Sequence, residues 1–388
     1  MKKKIIIRAP LLSYSGYGTH SRQIFRWLLS QPSIEVVASI VPWGMTSWMI
    51  NPDLEEGLIG EIMNRSSFNE NDSFDASIQV QLPNEWDPSL ARKNIGVSAF
   101  VETDKCNPEW VECCNKMDQI IVPSTHVLQT IKNTGKCNTP IDVVHESFYN
   151  KIKEENLPQF PVEFETSFNF LVLGQITGNQ PDTDRKNIFN TIKWFCETFK
   201  DDPDVGLILK TNSGKNTTID RTITNRMVTN LLKEVRHGAY PKVHVLHGAL
   251  SDSEVSSLYR HPQIKALLSL TRGEGFGLPI LEAAASGLPV IATAWSGHLD
   301  FLRLGKYVPV DYHLTEIPAS RVDNCIFIAG SKWAEPLEDN AKERLRKFRK
   351  SSFIPLKWAN ELKTRLLSSF SQEKINKKYD EILGTLID

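Results

Sequence analysis

The stretch IKALLSLTRGEGFGLPILEAAASGLPVIAT, residues 264–293, decides the fold. It opens with an apolar run that ends at Leu270 and predicts a buried strand. An alanine-rich helical segment follows, with Pro279 near its start and Gly287 at the position where helices commonly end. The run LPVIAT then predicts a second strand. A strand, loop, helix and strand in this order are the repeating unit of a parallel sheet.

Similar units fill the rest of the chain in two series. The first runs from KIIIRAP to IDVVHESF, and the second begins at FNFLVLGQI. Residues 151–165 separate them with a charged, proline-containing segment that is typical of an interdomain linker. The sequence therefore predicts an α/β fold with two doubly wound, Rossmann-like parallel-sheet domains that face a cleft. We place the domains at residues 1–155 and 156–369.

The composition is that of an ordinary globular protein. Lys plus Arg is 45 and Asp plus Glu is 46 over 388 residues, so charge does not indicate a polyanionic partner. Six cysteines without a C-x-x-C pair favour reduced thiols in a cytosol. Arg8 interrupts the apolar run near the N-terminus, and no run of 18 apolar residues follows. We therefore expect a cytoplasmic protein without an obligate nucleic-acid or membrane partner.

The loop within residues 264–293 carries two carboxylates. Glu274 lies between the predicted strand and helix, and Glu282 lies about one turn into the helix. Gly275 and Gly277 allow the backbone to turn sharply beside a ligand. Amides at the positive end of the helix suit a phosphate or a sugar hydroxyl. Two separated acceptors fit a ligand with hydroxyls at both ends, such as a nucleotide sugar; alternatively, Glu282 is a solvated helix residue and the glycines only make a turn.

The motif EGFGLPILE resembles the E-x7-E signature of retaining glycosyltransferases of family 4, which have the GT-B architecture. The resemblance implies metal-independent transfer of a sugar from a nucleotide-diphosphate donor, a UDP or GDP sugar, to a hydroxyl acceptor with retention of anomeric configuration. It implies that Glu274 binds the donor sugar and Glu282 the ribose. It also implies that a helix at 370–388 packs back on the first domain. The backbone contacts that it implies for sugar and diphosphate are Gly275, Phe276, Gly277 and Leu278.

Adjacent cations precede the first helix of the second domain. Arg185 and Lys186 are placed to clamp a diphosphate leaving group. The family carries an arginine directly after the strand glycine, but Gln175 stands there, so we assign that role to Arg185. Lys210 ends a predicted strand, and ligands bind at the carboxyl ends of parallel strands. Each cation has the alternative of being a solvated surface charge.

The first domain offers weaker signals. Gly16 and Gly18 lie in a loop after the first strand, which in the family faces the donor phosphate and the acceptor; a plain turn is the alternative. Glu102 or Asp104 follows a later strand, where a carboxylate suits the acceptor hydroxyl proton. The alternative for this acidic segment is a capped helix start.

Other motifs have modest predicted roles. Asp182 and Asp184 form a D-x-D pair, but the surrounding loop is not the usual setting of a metal site, and nine scattered histidines lack zinc-site spacing. We expect no metal and no cofactor beyond the donor. The segment SKWAEP, residues 331–336, is expected only to connect elements. The basic helix at 341–350 is expected to be a solvated face, with contact to anionic lipid as the alternative.

Two rival functions stay open. One is a different enzyme class on a similar architecture, such as a nucleotide-sugar epimerase or a phosphorylase-like enzyme, and the other is a non-catalytic or hydrolytic protein that binds a sugar nucleotide. The acceptor of a transferase also stays open among glycans, lipids, proteins and a hydroxylated base of DNA.

Overall fold

The computed structural model describes residues 2–68, 72–178, 180–212 and 214–387. The chain divides into two compact units. The N-terminal unit comprises Met1–Ser147, Asp323–Ile328 and Gln372–Asp388, and the C-terminal unit comprises Phe148–Val322 and Ala329–Ser371. The division after Ser147 lies a few residues before the predicted boundary at residue 155.

The N-terminal unit is built on a parallel sheet of six strands, in the order β2-β1-β3-β4-β5-β6. Because the chain crosses to the other side of β1 after β2, the switch point of this sheet lies between β1 and β3. The strands are β1 (Lys3–Ala9), β2 (Ile34–Ile40), β3 (Ala76–Val80), β4 (Lys93–Val97), β5 (Gln119–Val122) and β6 (Ile141–Val143); the helices between them are α1 (Gly16–Leu29), α2 (Leu58–Asn64), α3 (Pro108–Cys114) and α4 (Thr125–Thr134).

The C-terminal unit has a second parallel sheet of six strands, in the order β12-β11-β10-β7-β8-β9. This is the Rossmann order, with its switch point between β7 and β10. Two further strands, β13 and β14, pair antiparallel. The strands are β7 (Phe168–Leu173), β8 (Val205–Thr211), β9 (Lys242–His247), β10 (Ile264–Ser269), β11 (Val290–Thr293), β12 (Val308–Val310), β13 (Tyr312–Glu316) and β14 (Lys332–Pro336); the helices are α5 (Ile188–Thr198), α6 (Thr218–Val235), α7 (Asp252–Tyr259), α8 (Leu278–Ala285), α9 (Leu299–Leu302), α10 (Glu338–Lys350) and α11 (Phe353–Ser369).

Continuous apolar runs form the inner strands because both faces of each sheet are covered. In β1, Ile5 and Ile7 pack into one apolar cluster while Ile6 packs into another. In β8, Ile208 and Leu209 likewise face different clusters. The predicted fold class, two doubly wound parallel-sheet domains, is confirmed.

The last helix, α12 (Gln372–Ile387), belongs to the N-terminal unit. Tyr379 stacks on Trp27 with ring centroids 5.0 Å apart, and Trp27 Nε1 donates to Asp380 at 2.8 Å. The final residue of the predicted 370–388 helix, Asp388, lies outside the described residues.

Candidate active site

The site forms at the switch point of the C-terminal sheet. Two loops leave the carboxyl ends of the neighbouring strands β7 and β10 there. The first loop carries Lys186 and the second carries Glu274. Lys186 Nζ lies 2.6 Å and 2.8 Å from the two carboxylate oxygens of Glu274, and Arg185 Nη1 lies 3.8 Å from Oε2. The fold thus brings together three residues predicted from the sequence.

Glu274 is a buried, ionised carboxylate. Burial on its own raises the pKa of this group, but the charges of Lys186 and Arg185 outweigh burial and lower the pKa from its usual 4.5 to about 2. Glu274 is therefore negative at any physiological pH and suits hydrogen-bond acceptance rather than proton donation. Two cations against one carboxylate leave a net positive charge at the switch point.

Arg185 also joins the two loops. Its Nη1 donates to the carbonyl of Gly273 at 2.6 Å, and the amide of Arg272 donates back to the carbonyl of Arg185 at 2.9 Å. Only 13% of the Arg185 side chain is exposed. Arg185 is therefore not a solvated surface charge, which was the alternative for this residue.

Arg272 is a bracing residue that sequence reasoning missed. Its guanidinium forms a bidentate pair with Glu335, with distances of 2.6 Å and 2.9 Å. Nη1 donates to the carbonyls of Pro181 and Asp184, both at 2.7 Å, and the group lies 5.3 Å from the ring of Trp333. Glu335 and Trp333 lie on β14, so the expectation that SKWAEP only connects elements is wrong. The sequence does show an arginine two residues before Glu274, in a loop whose conformation needs support from neighbouring segments.

A second chain of contacts fixes the backbone of Glu274. Its amide donates to Ser296 Oγ at 2.9 Å, and Ser296 Oγ lies 3.3 Å from His298 Nδ1. His298 Nε2 lies 2.7 Å from the carbonyl of Thr293, which can only accept, so Nε2 carries the proton and Nδ1 accepts from Ser296. Burial lowers the pKa of His298 and keeps the ring neutral. No motif in the sequence analysis pointed to these residues.

The glycine turn supplies backbone rather than side chains. Gly277 precedes α8 at φ +96°, a conformation that favours glycine. Phe276 and Leu278 turn their side chains into the core, where Phe276 lies 5.3 Å from Phe301. A ligand at Gly275–Leu278 would therefore meet main-chain groups at the start of a helix.

Glu282 is not a solvated helix residue. It is 4% exposed, and the hydroxyl of the buried Tyr259 donates to its Oε2 at 3.1 Å. Burial and the neighbouring Glu282 raise the pKa of Tyr259 well above its usual value, so that hydroxyl keeps its proton. The structure shows an oriented carboxylate on α8, one helix turn beyond the glycine loop.

Lys210 lies at the end of β8 but contacts a different loop. Its ammonium donates to the carbonyl of Gly248 and, at 3.4 Å, to that of Thr211. Burial lowers its pKa to about 8, partly offset by the charge of Glu254. These partners make Lys210 a brace for the turn after β9, rather than a member of the Lys186–Glu274 group.

The first-domain candidates lie in the N-terminal unit. Gly16 begins α1, and Gly18 follows it where an added Cβ would lie 2.1 Å from the carbonyl of Ser13. Tyr17 stands between the two glycines in the sequence, and its hydroxyl lies 2.9 Å from Ser98 Oγ. Glu102 is half-buried in the loop between β4 and α3.

Of the D-x-D pair, Asp184 has a structural role. Asp184 is fully buried and accepts from Thr177 N at 2.9 Å, Thr177 Oγ1 at 2.7 Å and Ile188 N at 2.6 Å, so it shapes the start of α5. Within the described residues, no group of three or more His, Cys, Asp and Glu side chains is placed to hold a metal ion. A search of the described helices for a membrane-spanning segment found none.

Comparison with known families supports the interpretation of this site. Residues 227–315, which include Glu274 and Glu282, match the family model described as Glycosyl transferases group 1. The matched segment lies within the C-terminal unit. The match supports glycosyltransferase activity and a nucleotide-sugar donor. No curated protein matches the sequence.

Solved structures share the fold at low sequence identity. Sucrose-phosphate synthase from Thermosynechococcus elongatus has a TM-score of 0.66 at 12% identity, with 100% of this chain and 99% of that chain covered. The Anabaena protein HepE, solved in complex with UDP and glucose, has a TM-score of 0.61 at 12% identity, with 99% and 100% covered. The pneumococcal O-GlcNAc transferase GtfA, in complex with UDP and GlcNAc, has a TM-score of 0.51 at 15% identity; 80% of this chain covers 56% of its length. These likenesses concern the GT-B fold.

Proposed function

We propose that this protein is a retaining glycosyltransferase of the family 4 type that transfers a sugar from a UDP or GDP donor to a hydroxyl acceptor. The observation that carries the proposal is the buried group of Lys186, Arg185 and Glu274 at the switch point of a Rossmann sheet. The family match over the same loop supports it, as do nucleotide-bound structures of the same fold. We assign donor binding to the C-terminal unit and acceptor binding to the N-terminal unit, and a cytoplasmic location to the protein, whose cysteines are all free thiols.

The donor would lie along the start of α8. Glu274 would accept hydrogen bonds from the sugar hydroxyls, and main-chain groups of Gly275–Leu278 would meet the sugar and diphosphate at the positive end of the helix. Glu282 would accept from the ribose hydroxyls, held for that purpose by Tyr259. In these roles one carboxylate accepts from the sugar hydroxyls, another accepts from the ribose hydroxyls, and positively charged groups meet the phosphates.

The chemical step would depend on charge stabilisation. As the bond between the anomeric carbon and the diphosphate breaks, negative charge grows on the leaving oxygen, and Lys186 and Arg185 are placed to stabilise it. Glu274 is ion-paired and buried, which makes it a poor nucleophile. We therefore favour attack by the acceptor on the face that the diphosphate leaves, with the departing phosphate oxygen taking the acceptor proton. Glu102 is the candidate in the N-terminal unit for orienting the acceptor hydroxyl.

The cation pair of this protein differs from the family pattern at Gln175. The position where the family carries arginine holds Gln175, whose Nε2 donates to Asn212 Oδ1 at 3.1 Å. Arg185 is buried beside Lys186 and contacts Glu274. We therefore assign the arginine function to Arg185, the residue before the lysine.

The test combines binding with turnover. We would screen thermal stability against UDP, GDP, ADP and CMP sugars, and then measure transfer and donor hydrolysis separately with the stabilising donor. The proposal expects stabilisation by a UDP or GDP sugar and net transfer once an acceptor is supplied from a panel of glycans, lipids, proteins and hydroxymethylated DNA. Hydrolysis without transfer across that panel would favour the hydrolytic alternative, and binding without either reaction would favour a non-catalytic protein.

A further inference from the structure

Positive charge is concentrated at one end of the C-terminal unit. Between residues 344 and 365 the chain has eight lysines and arginines and a single acid, Glu361, although the whole protein has a net charge of −1. This segment covers the second half of α10, the turn and most of α11. Among the described residues, Lys350, Lys357 and Lys363 form no ion pair. Their charges are available to an anionic partner.

An apolar tip lies in the middle of this basic segment. Phe353, Ile354 and Leu356, in the first turn of α11, are 73%, 46% and 47% exposed. Single exposed apolar residues are common on proteins, but three within four positions, flanked by lysines on both sides, form an amphipathic projection. We call these three residues the α11 tip.

A basic cavity adjoins the tip. Its volume is about 630 Å³, within the range of ligand pockets, and Leu356 forms part of its wall. Four cations line it against one acid, Glu155. The cations are Lys153, Arg260, Lys265 and Lys363.

Two of these cations are readily redirected to a ligand. Lys265 Nζ donates only to the carbonyl of Pro262, and Lys363 has no hydrogen bond among the described residues. Arg260 donates to the carbonyls of Ile152 and Glu154 while its buried Nε has no partner. Lys265 and Lys363 therefore offer positive charge to a ligand in the cavity.

The cavity lies at the amino ends of the strands of the sheet, and the candidate active site lies at their carboxyl ends. Ile264 and Lys265, at the start of β10, line the cavity, whereas Glu274 follows the end of that strand. A six-residue strand spans about 20 Å. A partner bound at the tip and cavity would leave the donor loop open.

We propose that the α11 tip and the adjoining basic cavity dock this protein on an anionic phospholipid surface. The tip would enter the interface between headgroups and acyl chains, and the cavity would take a phosphate headgroup. A membrane fits better than an acidic protein because exposed apolar side chains of one helical turn adjoin a cavity lined by cations, and a membrane offers an apolar layer next to anionic headgroups. The docking is peripheral and reversible, since one apolar turn provides little insertion.

The experiment is vesicle co-sedimentation of the full chain at low and high salt. Vesicles of phosphatidylcholine alone are compared with vesicles of phosphatidylcholine and phosphatidylglycerol. One double variant, Phe353→Ser with Ile354→Ser, removes the tip, and another, Lys265→Ala with Lys363→Ala, removes cavity charge. The matched controls are Ile219→Ser with Ile223→Ser, exposed on α6, and Lys193→Ala with Lys377→Ala, exposed elsewhere.

We expect binding to the anionic vesicles only, with release by salt. Each lost cation should weaken partitioning about fivefold, so the cavity variant should bind roughly twenty-five-fold more weakly, while both controls bind like the parent. The tip variant should lose binding at least as strongly. Equal binding by both test variants and their controls would overturn the proposal. Failure to bind vesicles would also overturn it. In that case, stabilisation of the parent but not of the cavity variant by inorganic phosphate would favour a soluble anion as the ligand. Binding of polyglutamate at the tip region would instead favour an acidic protein as the partner.

Discussion

Two loops of this protein occupy corresponding places in their sheets but differ in charge. One follows β1 and leads into α1, and the other follows β10 and leads into α8; each leaves its sheet at the switch point. A buried arginine braces each. Arg22 donates to the carbonyls of Leu11 and Ser13 and pairs with Glu55, while Arg272 donates to two carbonyls of the neighbouring loop and pairs with Glu335.

The two loops differ in charge. Neutral hydroxyl contacts hold the first, with Ser13 Oγ 3.0 Å from Ser15 Oγ and 2.7 Å from Thr46 Oγ1. The second faces two cations and a carboxylate at Glu274. Under the proposed function, the uncharged loop suits a hydroxylated acceptor and the charged loop suits the diphosphate of the donor.

The largest expected effect is on the charged loop. Lys186→Ala should lower kcat/KM by about a hundredfold to a thousandfold, because it removes a cation that stabilises the leaving group. Steady-state kinetics with the identified donor would measure it, and Lys193→Ala, an exposed lysine on α5, serves as the control. Parent-like kinetics in the folded Lys186 variant would remove the charged loop from the catalytic account.

The two bracing arginines should matter about equally for folding. Arg272→Met leaves the carboxylate of Glu335 without its partner, and Arg22→Met leaves the buried carboxylate of Glu55 paired with Arg26 alone. Each variant also removes hydrogen bonds to two loop carbonyls, so each should cost roughly 3 kcal/mol. Denaturant unfolding would measure the loss. A variant that unfolds like the parent would show that its loop is held by other contacts. Because Arg272 also holds the Lys186 loop, its variant should in addition raise the donor KM.

The third prediction concerns acid. The folded-state pKa of Glu274, about 2, lies below its usual 4.5, so its contribution to stability is complete above pH 4.5 and is lost as the pH falls through 2. Lys186→Met should raise that pKa and move part of this loss to higher pH, an effect on the order of 3 kcal/mol at most. Unfolding titrations of parent and variant between pH 7 and acid would detect the difference. Identical pH profiles would contradict the ion pair.

The smallest effect separates the two glycines in the first turn of α1, directly after the uncharged loop. Gly18→Ala places a Cβ 2.1 Å from the Ser13 carbonyl and should destabilise the protein by about 1–3 kcal/mol. Gly16→Ala meets nothing within 4 Å and should be nearly neutral for stability. Thermal unfolding of both would test this. If the two variants were equally stable, close packing would not explain Gly18.

The sequence predicted most of the strand and helix units but not the strand Ala76–Val80. Apolar runs such as that of β8 are long enough to be recognised, whereas Ala76–Val80 contains polar Ser77 and Gln79 and was missed, although it forms β3 beside β1. Those polar side chains are satisfied by tertiary partners, with Ser77 donating to Asn94 and Gln79 to the carbonyl of Asp87. Such partners are invisible in a local pattern.

The candidate site divides in the same way. Glu274, Glu282, Lys186 and Arg185 were found because they belong to short motifs next to strand ends. Arg272, Ser296 and His298 were missed because their role depends on segments that are distant along the chain, as with Glu335 on β14. Lys210 was placed at the correct strand end, but a residue's position on a strand does not fix which loop its long side chain contacts.

The most direct test of the central claim is a crystal structure of the protein with its stabilising nucleotide sugar. The account predicts sugar hydroxyls on Glu274, ribose hydroxyls on Glu282, and the diphosphate within hydrogen-bonding distance of Lys186 and Arg185 at the start of α8. A donor bound at any other place, with the Lys186–Glu274 group untouched, would contradict it.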